Sequence, residues 1–155
     1  MTDSQQTTIW IDGDAAPKVC KAMVFKASAR TGLPVVLVAN RFQEVPRMTT
    51  VRAVQVSGGM DVADDYIAEH CQKGDLVITA DIPLAARVIE TGGTVLQFRG
   101  EVLTEENVRQ RLAMRDFMDS LRGGDVMTGG PPPFGAKDKQ RFANELDRWL
   151  ARARR

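Results

Sequence analysis

Aspartates recur at the points of this chain where negative charge could be gathered. Asp12 and Asp14 lie in WIDGDAAP, Asp64 in MDVADDYI and Asp81 in VITADIPLA, and Asp61 and Asp65 flank Asp64. Spacings of three and four residues put Asp61, Asp64 and Asp65 on adjoining faces at the start of one helix. Crowded carboxylates repel, so one of them keeps its proton to higher pH unless a cation balances the charge. An all-oxygen cluster suits Mg²⁺ or Mn²⁺ rather than zinc. Such an ion holds phosphate oxygens, activates water and stabilises an in-line displacement. The competing use is structural: Asp is a favoured N-cap, and Asp12, Asp61 and Asp81 each precede a helical pattern. Capping requires neither the second acid of Asp12-Gly13-Asp14 nor the pair Asp64-Asp65.

Other chemistries have little to work with. His70 is the one histidine, and Cys20 and Cys71 are the two cysteines, too few for a four-ligand zinc centre in one chain. A Ser-His-Asp arrangement would have to use His70, and a Cys20–Cys71 disulfide does not suit a reducing compartment. Lys18 and Lys21, in the first turns after Asp12, could hold phosphate, helped by the positive end of their helix. Each could equally be a solvated helical residue. Asn40 ends an apolar run and could bind substrate or shape a turn. Arg115, beside Asp116, fits an ion pair first and substrate second. Trp10 and the methionines read as core.

The elements that must position these groups alternate. Apolar runs over residues 8–12, 34–39, 51–56, 75–80 and 94–98 predict strands. Helical patterns fall at about 15–31, 61–73 and 83–91, with Pro17 in a first turn and Gly32 as a C-terminal stop. Helices at about 104–122 and 136–153 follow, joined by a Gly- and Pro-rich loop over 123–135. Strand–helix alternation with near-continuous apolar strands predicts an α/β fold: a mainly parallel five-strand sheet flanked by helices, with two extra C-terminal helices packed around it. The expectation is one domain over 1–155, with 104–155 as a helical extension. Asp12, Asp14 and Asp81 then follow the carboxyl ends of strands, where open α/β sheets bind ligands.

Composition sets the outer limits. The chain has 155 residues, 43% hydrophobic and 26% charged, which excludes disorder and fibrous repeats. No run is long and apolar enough to span a membrane, and no signal peptide is visible, so the expectation is a cytoplasmic protein. Residues 1–106 carry 10 Lys and Arg against 14 Asp and Glu, and residues 107–155 carry 11 against 6. An acidic body with a basic C-terminal section suits a metal site beside a polyanion, or simply a solvated face.

Several motifs occur together and in order: WIDGDAAP, VANR, GMDVADDYI, GDLVITADIPLA, MRDFMDSLR and TGGP. Over residues 8–149 they resemble the bacterial YaiI/YqxD family, which is similar to PIN and NYN domains. ADDYI followed by VITAD also resembles motifs of NYN-type ribonucleases. The resemblance implies a PIN-like fold and carboxylate ligands for Mg²⁺ or Mn²⁺ at Asp12, Asp64 and Asp81. Asp14, Asp61 and Asp65 become second-rank ligands, Lys21 matches a family lysine, and the implied partner is RNA. Two positions depart from the pattern. Ala16 stands where many members have Cys, and Pro83 where many NYN domains have a second acid.

Three functions compete on these residues. The first is a metal-dependent nuclease. The second is a haloacid-dehalogenase-type phosphatase with Asp12 as nucleophile and Asp14 as acid, against which Ala16 stands where that motif wants Thr or Val. The third is a non-catalytic module that binds RNA or a nucleotide, which Pro83 favours and the absence of an aromatic RNA-binding platform does not.

Overall fold

The computed structural model describes residues 7–59, 61–121 and 133–153. Its strands and helices alternate as the apolar runs predict. They are β1 (Ile9–Asp12), α1 (Lys18–Thr31), β2 (Val35–Ala39), β3 (Val51–Gln55), α2 (Val62–His70), β4 (Leu76–Ile78), α3 (Ile82–Thr91) and β5 (Thr94–Leu96). A two-residue strand, β6 (Val102–Leu103), precedes α4 (Glu105–Leu121) and α5 (Ala136–Ala153). β1, β2 and β4 are buried along their whole length, as strands covered on both faces must be.

The strand order is β3-β2-β1-β4-β5-β6, with every pair parallel except β5–β6. The chain moves outward from β1 to β3, returns to β4 on the other side of β1, and moves outward again. The order reverses between β1 and β4, so a crevice opens outside their carboxyl ends. This layout is consistent with the PIN-like expectation.

Alternation along each strand divides the core. Ile9, Ile11, Val35, Leu37, Leu76 and Ile78 face α1 and α5, meeting Cys20, Val24, Phe142, Leu146 and Trp149. Trp10, Val36, Val38, Val77 and Val95 face the other helices, meeting Ile67, Leu84, Val88 and Val108. Both C-terminal helices therefore pack on this sheet and its helices, α5 on one face and α4 against α3 on the other. Trp10 is core, and its Nε1 donates to the buried Asp75 carboxylate at 3.0 Å, which also accepts from the amides of Thr8 and Gln72. Both thiols are buried and unbonded to each other. Among the described residues no helix is long and apolar enough to cross a membrane.

The structure corrects the expected fold in four places. The sheet has six strands, not five. β5 ends at Leu96, and a turn with Gly100 at φ 94° reverses the chain into β6, too short to show a period. α1 begins at Lys18, because residues 13–15 form a turn after β1 and Pro17 takes the cap position. α2 stops at His70, since Cys71 is extended. Met114 is 57% exposed, so it is not core filler. Gly32 ends α1 as expected, its amide donating to Ser28 O. Most of the 123–135 loop lies outside the described residues.

Candidate acidic site at the sheet edge

Asp12 is the last residue of β1, and Thr79 and Asp81 follow β4, its neighbour. Asp12 is only 9% exposed, and no helix begins near enough for it to cap. Its Oδ2 instead accepts from Thr79 Oγ1 at 2.9 Å. The same hydroxyl accepts from the Asp81 amide at 3.0 Å, so one buried threonine sets the spacing of two acids. Asp81 does cap α3, its Oδ1 accepting from Leu84 N at 2.8 Å. Burial raises the pKa of Asp12 most, the Thr79 hydrogen bond opposes that, and the charges of Asp81 and Asp14 add to it.

Asp64 completes the group from α2. Burial, then the charges of Asp81 and Asp12, a hydrogen bond with Asp81 and the charge of Asp61 push it up to about 7. Two carboxyls in hydrogen-bond contact share one proton. Asp61 occupies the N-cap position of α2 without a side-chain capping bond. Asp65 is turned to Arg87, which donates to it at 2.6 Å on the exposed side of α2 and α3.

The donor chemistry fits Mg²⁺ or Mn²⁺: Asp12, Asp64 and Asp81 offer oxygen only and come from three separate segments. Among the described residues no three His, Cys, Asp or Glu side chains are arranged to hold an ion. Burial and the neighbouring charges favour the protonated form of Asp64, and a divalent cation would compete with that proton.

The remaining candidates border this group. Asp61, Asp64, Asp65 and Asp81 line a cleft of about 370 Å³ with Pro83, Arg87 and Arg115. Arg115 is exposed there, with no ion pair among the described residues, so the expected pairing is not formed. On the other side, Gly13 carries the chain against β2: its amide donates to Val38 O at 2.8 Å, and a Cβ would stand 2.6 Å from Leu37 Cδ2. That close approach presents Asp14, whose Oδ2 accepts from Asn40 N at 2.8 Å. Lys21 donates to Gln43 Oε1 at 2.6 Å, and Gln43 Nε2 donates to Gly13 O at 2.8 Å, tying α1 to both loops. Burial lowers the Lys21 pKa first, the Asp14 charge raises it and Lys18 lowers it. Lys18 itself is exposed at the start of α1. Asp12, Asp64 and Asp81 are thus brought together, Asp14 and Asp61 adjoin them, and Asp65 is committed elsewhere. Thr79 and Gln43 escaped the sequence reading, although a Thr two residues before an Asp is a turn-forming spacing.

Comparison with known proteins matches most of the chain to one family. The model described as "Uncharacterized BCR, YaiI/YqxD family" matches residues 10–152. A UPF0178 protein of Xanthomonas campestris is 54% identical over 144 residues, covering 93% of this chain and 90% of its own. A UPF0178 protein of Shewanella is 53% identical over 151 residues, covering 97% and 99%. One from Yersinia pestis is 53% identical over 146 residues, covering 94% and 96%. No solved structure matches. Full-length similarity at this level leaves one conclusion: the chain belongs to the YaiI/YqxD family.

Proposed function

We propose that this protein is a Mg²⁺- or Mn²⁺-dependent nuclease that hydrolyses phosphodiester bonds in RNA. The observation that carries the reading is the meeting of Asp12, Asp64 and Asp81 at the crevice where the strand order reverses, with Asp64 pushed up to about 7. Asp12, Asp64 and Asp81 would hold the ion, which when bound supplies charge stabilisation to phosphate oxygens and acidity to water. Thr79 keeps Asp12 oriented, and Arg115, Lys18 and Lys21 supply positive charge for the phosphodiester on either side. The NYN resemblance favours RNA. Burial of Asp12 tells against the phosphatase reading, which needs that carboxylate open to attack in line.

Replacing Asp12 with Asn tests the proposal, because Asn keeps the shape and removes the charge. In wild type, Mn²⁺ at tenfold excess over Kd should stabilise the fold by roughly 1.4 kcal/mol, and Asp12→Asn should reduce that shift. Cleavage of an RNA panel should vanish in EDTA and fall at least roughly a hundredfold in Asp12→Asn, about 2.7 kcal/mol of transition-state stabilisation. Identical thermal shifts in both proteins, or cleavage that survives EDTA and the substitution, would sink it. Pro83 sustains a second reading, a non-catalytic RNA-binding module: metal binding without cleavage under any condition would select it.

A further inference from the structure

The two faces of the sheet carry opposite charge. α2 and α3 bear Asp64, Asp65, Glu69 and Glu90 against Arg87. On the other face, α1 bears Lys18, Lys21, Lys26 and Arg30 and no acid at all. α5 packs beside α1 with five Lys and Arg residues. Its three acids are already paired: Asp138 with Arg99 at 2.9 Å, Glu145 with Arg148 at 2.6 Å and Asp147 with Arg30 at 3.6 Å. Lys26, Lys137, Arg141 and Arg152 are exposed and have no ion pair among the described residues. Positive charge is therefore left over on this face, although the whole chain sums to +1.

Helical spacing sets these cations in a row. Lys137, Arg141, Arg148 and Arg152 recur at four, seven and four residues, on the side of α5 away from the buried Phe142, Leu146 and Trp149. The row is about 22 Å long, at about 1.5 Å per residue. Lys26 and Arg30 extend it sideways, across a groove of about 120 Å³ between α1 and α5 that Ala143 and Asp147 line from the other side. The large apolar side chains exposed among the described residues, Phe42, Met114, Phe117 and Leu121, all lie off α1 and α5. A protein partner is held by an apolar centre, a lipid surface by an apolar wedge and a single strand by stacking on aromatic rings. Phosphates require none of these. A duplex carries about one of them per 1.7 Å of its axis and is straight, so it meets a rigid cationic row along its length.

We infer that the face formed by α1 and α5 docks base-paired RNA by its phosphate backbone, without reading its sequence. Lys26, Lys137, Arg141 and Arg152 are the principal contacts. Lys18 begins α1 just after the turn that follows Asp12, so the cationic face reaches the sheet edge where the acidic group lies. The choice of RNA rests on the proposed function; the docking of phosphate needs neither metal nor cleavage.

The test is fluorescence anisotropy in EDTA with two labelled blunt RNA duplexes of different sequence. Wild type should bind both equally, and the logarithm of affinity should fall with the logarithm of salt at a slope of about −4, from the four unpaired cations. The triple substitution Lys137→Gln, Arg141→Gln and Arg152→Gln should weaken binding at least roughly tenfold and flatten the slope by about three, with an unchanged melting temperature. Retention of Mn²⁺-dependent cleavage of single-stranded RNA in that variant would separate the docking face from the acidic site, as the inference requires. No duplex binding, affinity indifferent to the triple substitution, or a marked preference for one sequence overturns the docking face. Tighter binding to a DNA duplex or to phosphatidylserine vesicles overturns its assignment to RNA. Duplex binding that depends on the three cations, without cleavage of any RNA in Mn²⁺, would leave the face standing and remove the nuclease. Metal-dependent cleavage without duplex binding would do the reverse.

Discussion

A single hydroxyl holds the distance between Asp12 and Asp81, since Thr79 donates to one and accepts from the amide of the other. Thr79→Val should leave a buried carboxylate oxygen and a half-buried amide without partners, at about 1–3 kcal/mol, and Thr79→Ser should recover most of it in urea unfolding. The proton balance at Asp64 gives a second expectation. In the folded protein it is pushed up to about 7, against 3.8 ordinarily, so between those values the native state binds a proton that the unfolded chain has released. Stability then falls as pH rises from about 4 to about 7. Burial shifts Asp12 in the same direction. Melting temperatures in EDTA should decline across that window and Asp64→Asn should flatten the decline; a profile the substitution leaves alone would deny the shift. Saturating Mn²⁺ should also remove it, by taking the place of the proton. Asp12 and Asp81 could be located from sequence because each follows an apolar strand. The separation of Asp64 from Asp65 could not, because it depends on which side of α2 meets β1 and which meets Arg87 of α3. Asp75 falls inside the strand predicted over 75–80, yet it precedes β4, and its carboxylate closes the opposite end of the sheet by holding Thr8, Trp10 and Gln72.

Elements were legible in proportion to their length. IWID, VVLVA and LVI are continuous apolar runs between helices, which identifies buried parallel strands. β6 has two residues and pairs antiparallel to β5 through a turn, so neither period nor composition announces it. That turn also seats α5. Gly100 has φ 94°, and a Cβ there would lie 2.4 Å from Arg141 Cβ and 2.6 Å from the Arg141 backbone carbon. Gly100→Ala therefore meets strain and a backbone clash at once. It should cost more than about 1 kcal/mol, visible as a lowered melting temperature, and a neutral result would mean that α5 moves away without penalty. α5 itself was legible as an amphipathic helix, with Phe142, Leu146, Trp149 and Leu150 buried at spacings of four, seven and eight. Pro83 belongs to this scale too. It is exposed in the first turn of α3 and lines the acidic cleft, so Pro83→Asp should raise a weak cleavage activity if a further acid is what the site lacks.

Across the whole molecule, charge is arranged against its near-neutral sum. The acidic group lies within residues 12–81, and the basic C-terminal part returns Arg115 to its cleft. With Lys18, Lys21 and Arg115 as phosphate contacts at the acidic edge, the logarithm of affinity for single-stranded RNA should fall with the logarithm of salt at a slope no steeper than about −2. A slope far beyond that would place the single strand on α5 and the C-terminal arginines instead. The central position of β1 has one more consequence. Its backbone is laddered on both sides, to β2 over Ile9–Asp12 and to β4 over Ile9–Ile11, so freeing it breaks two ladders at once. Amide hydrogens of Trp10 and Ile11 should accordingly exchange with solvent deuterium only by global unfolding, while those of α2 and α4 exchange through smaller openings. Asp12 should thus sit on the last part of the molecule to come apart, with Asp64 on a nine-residue helix whose amides exchange sooner.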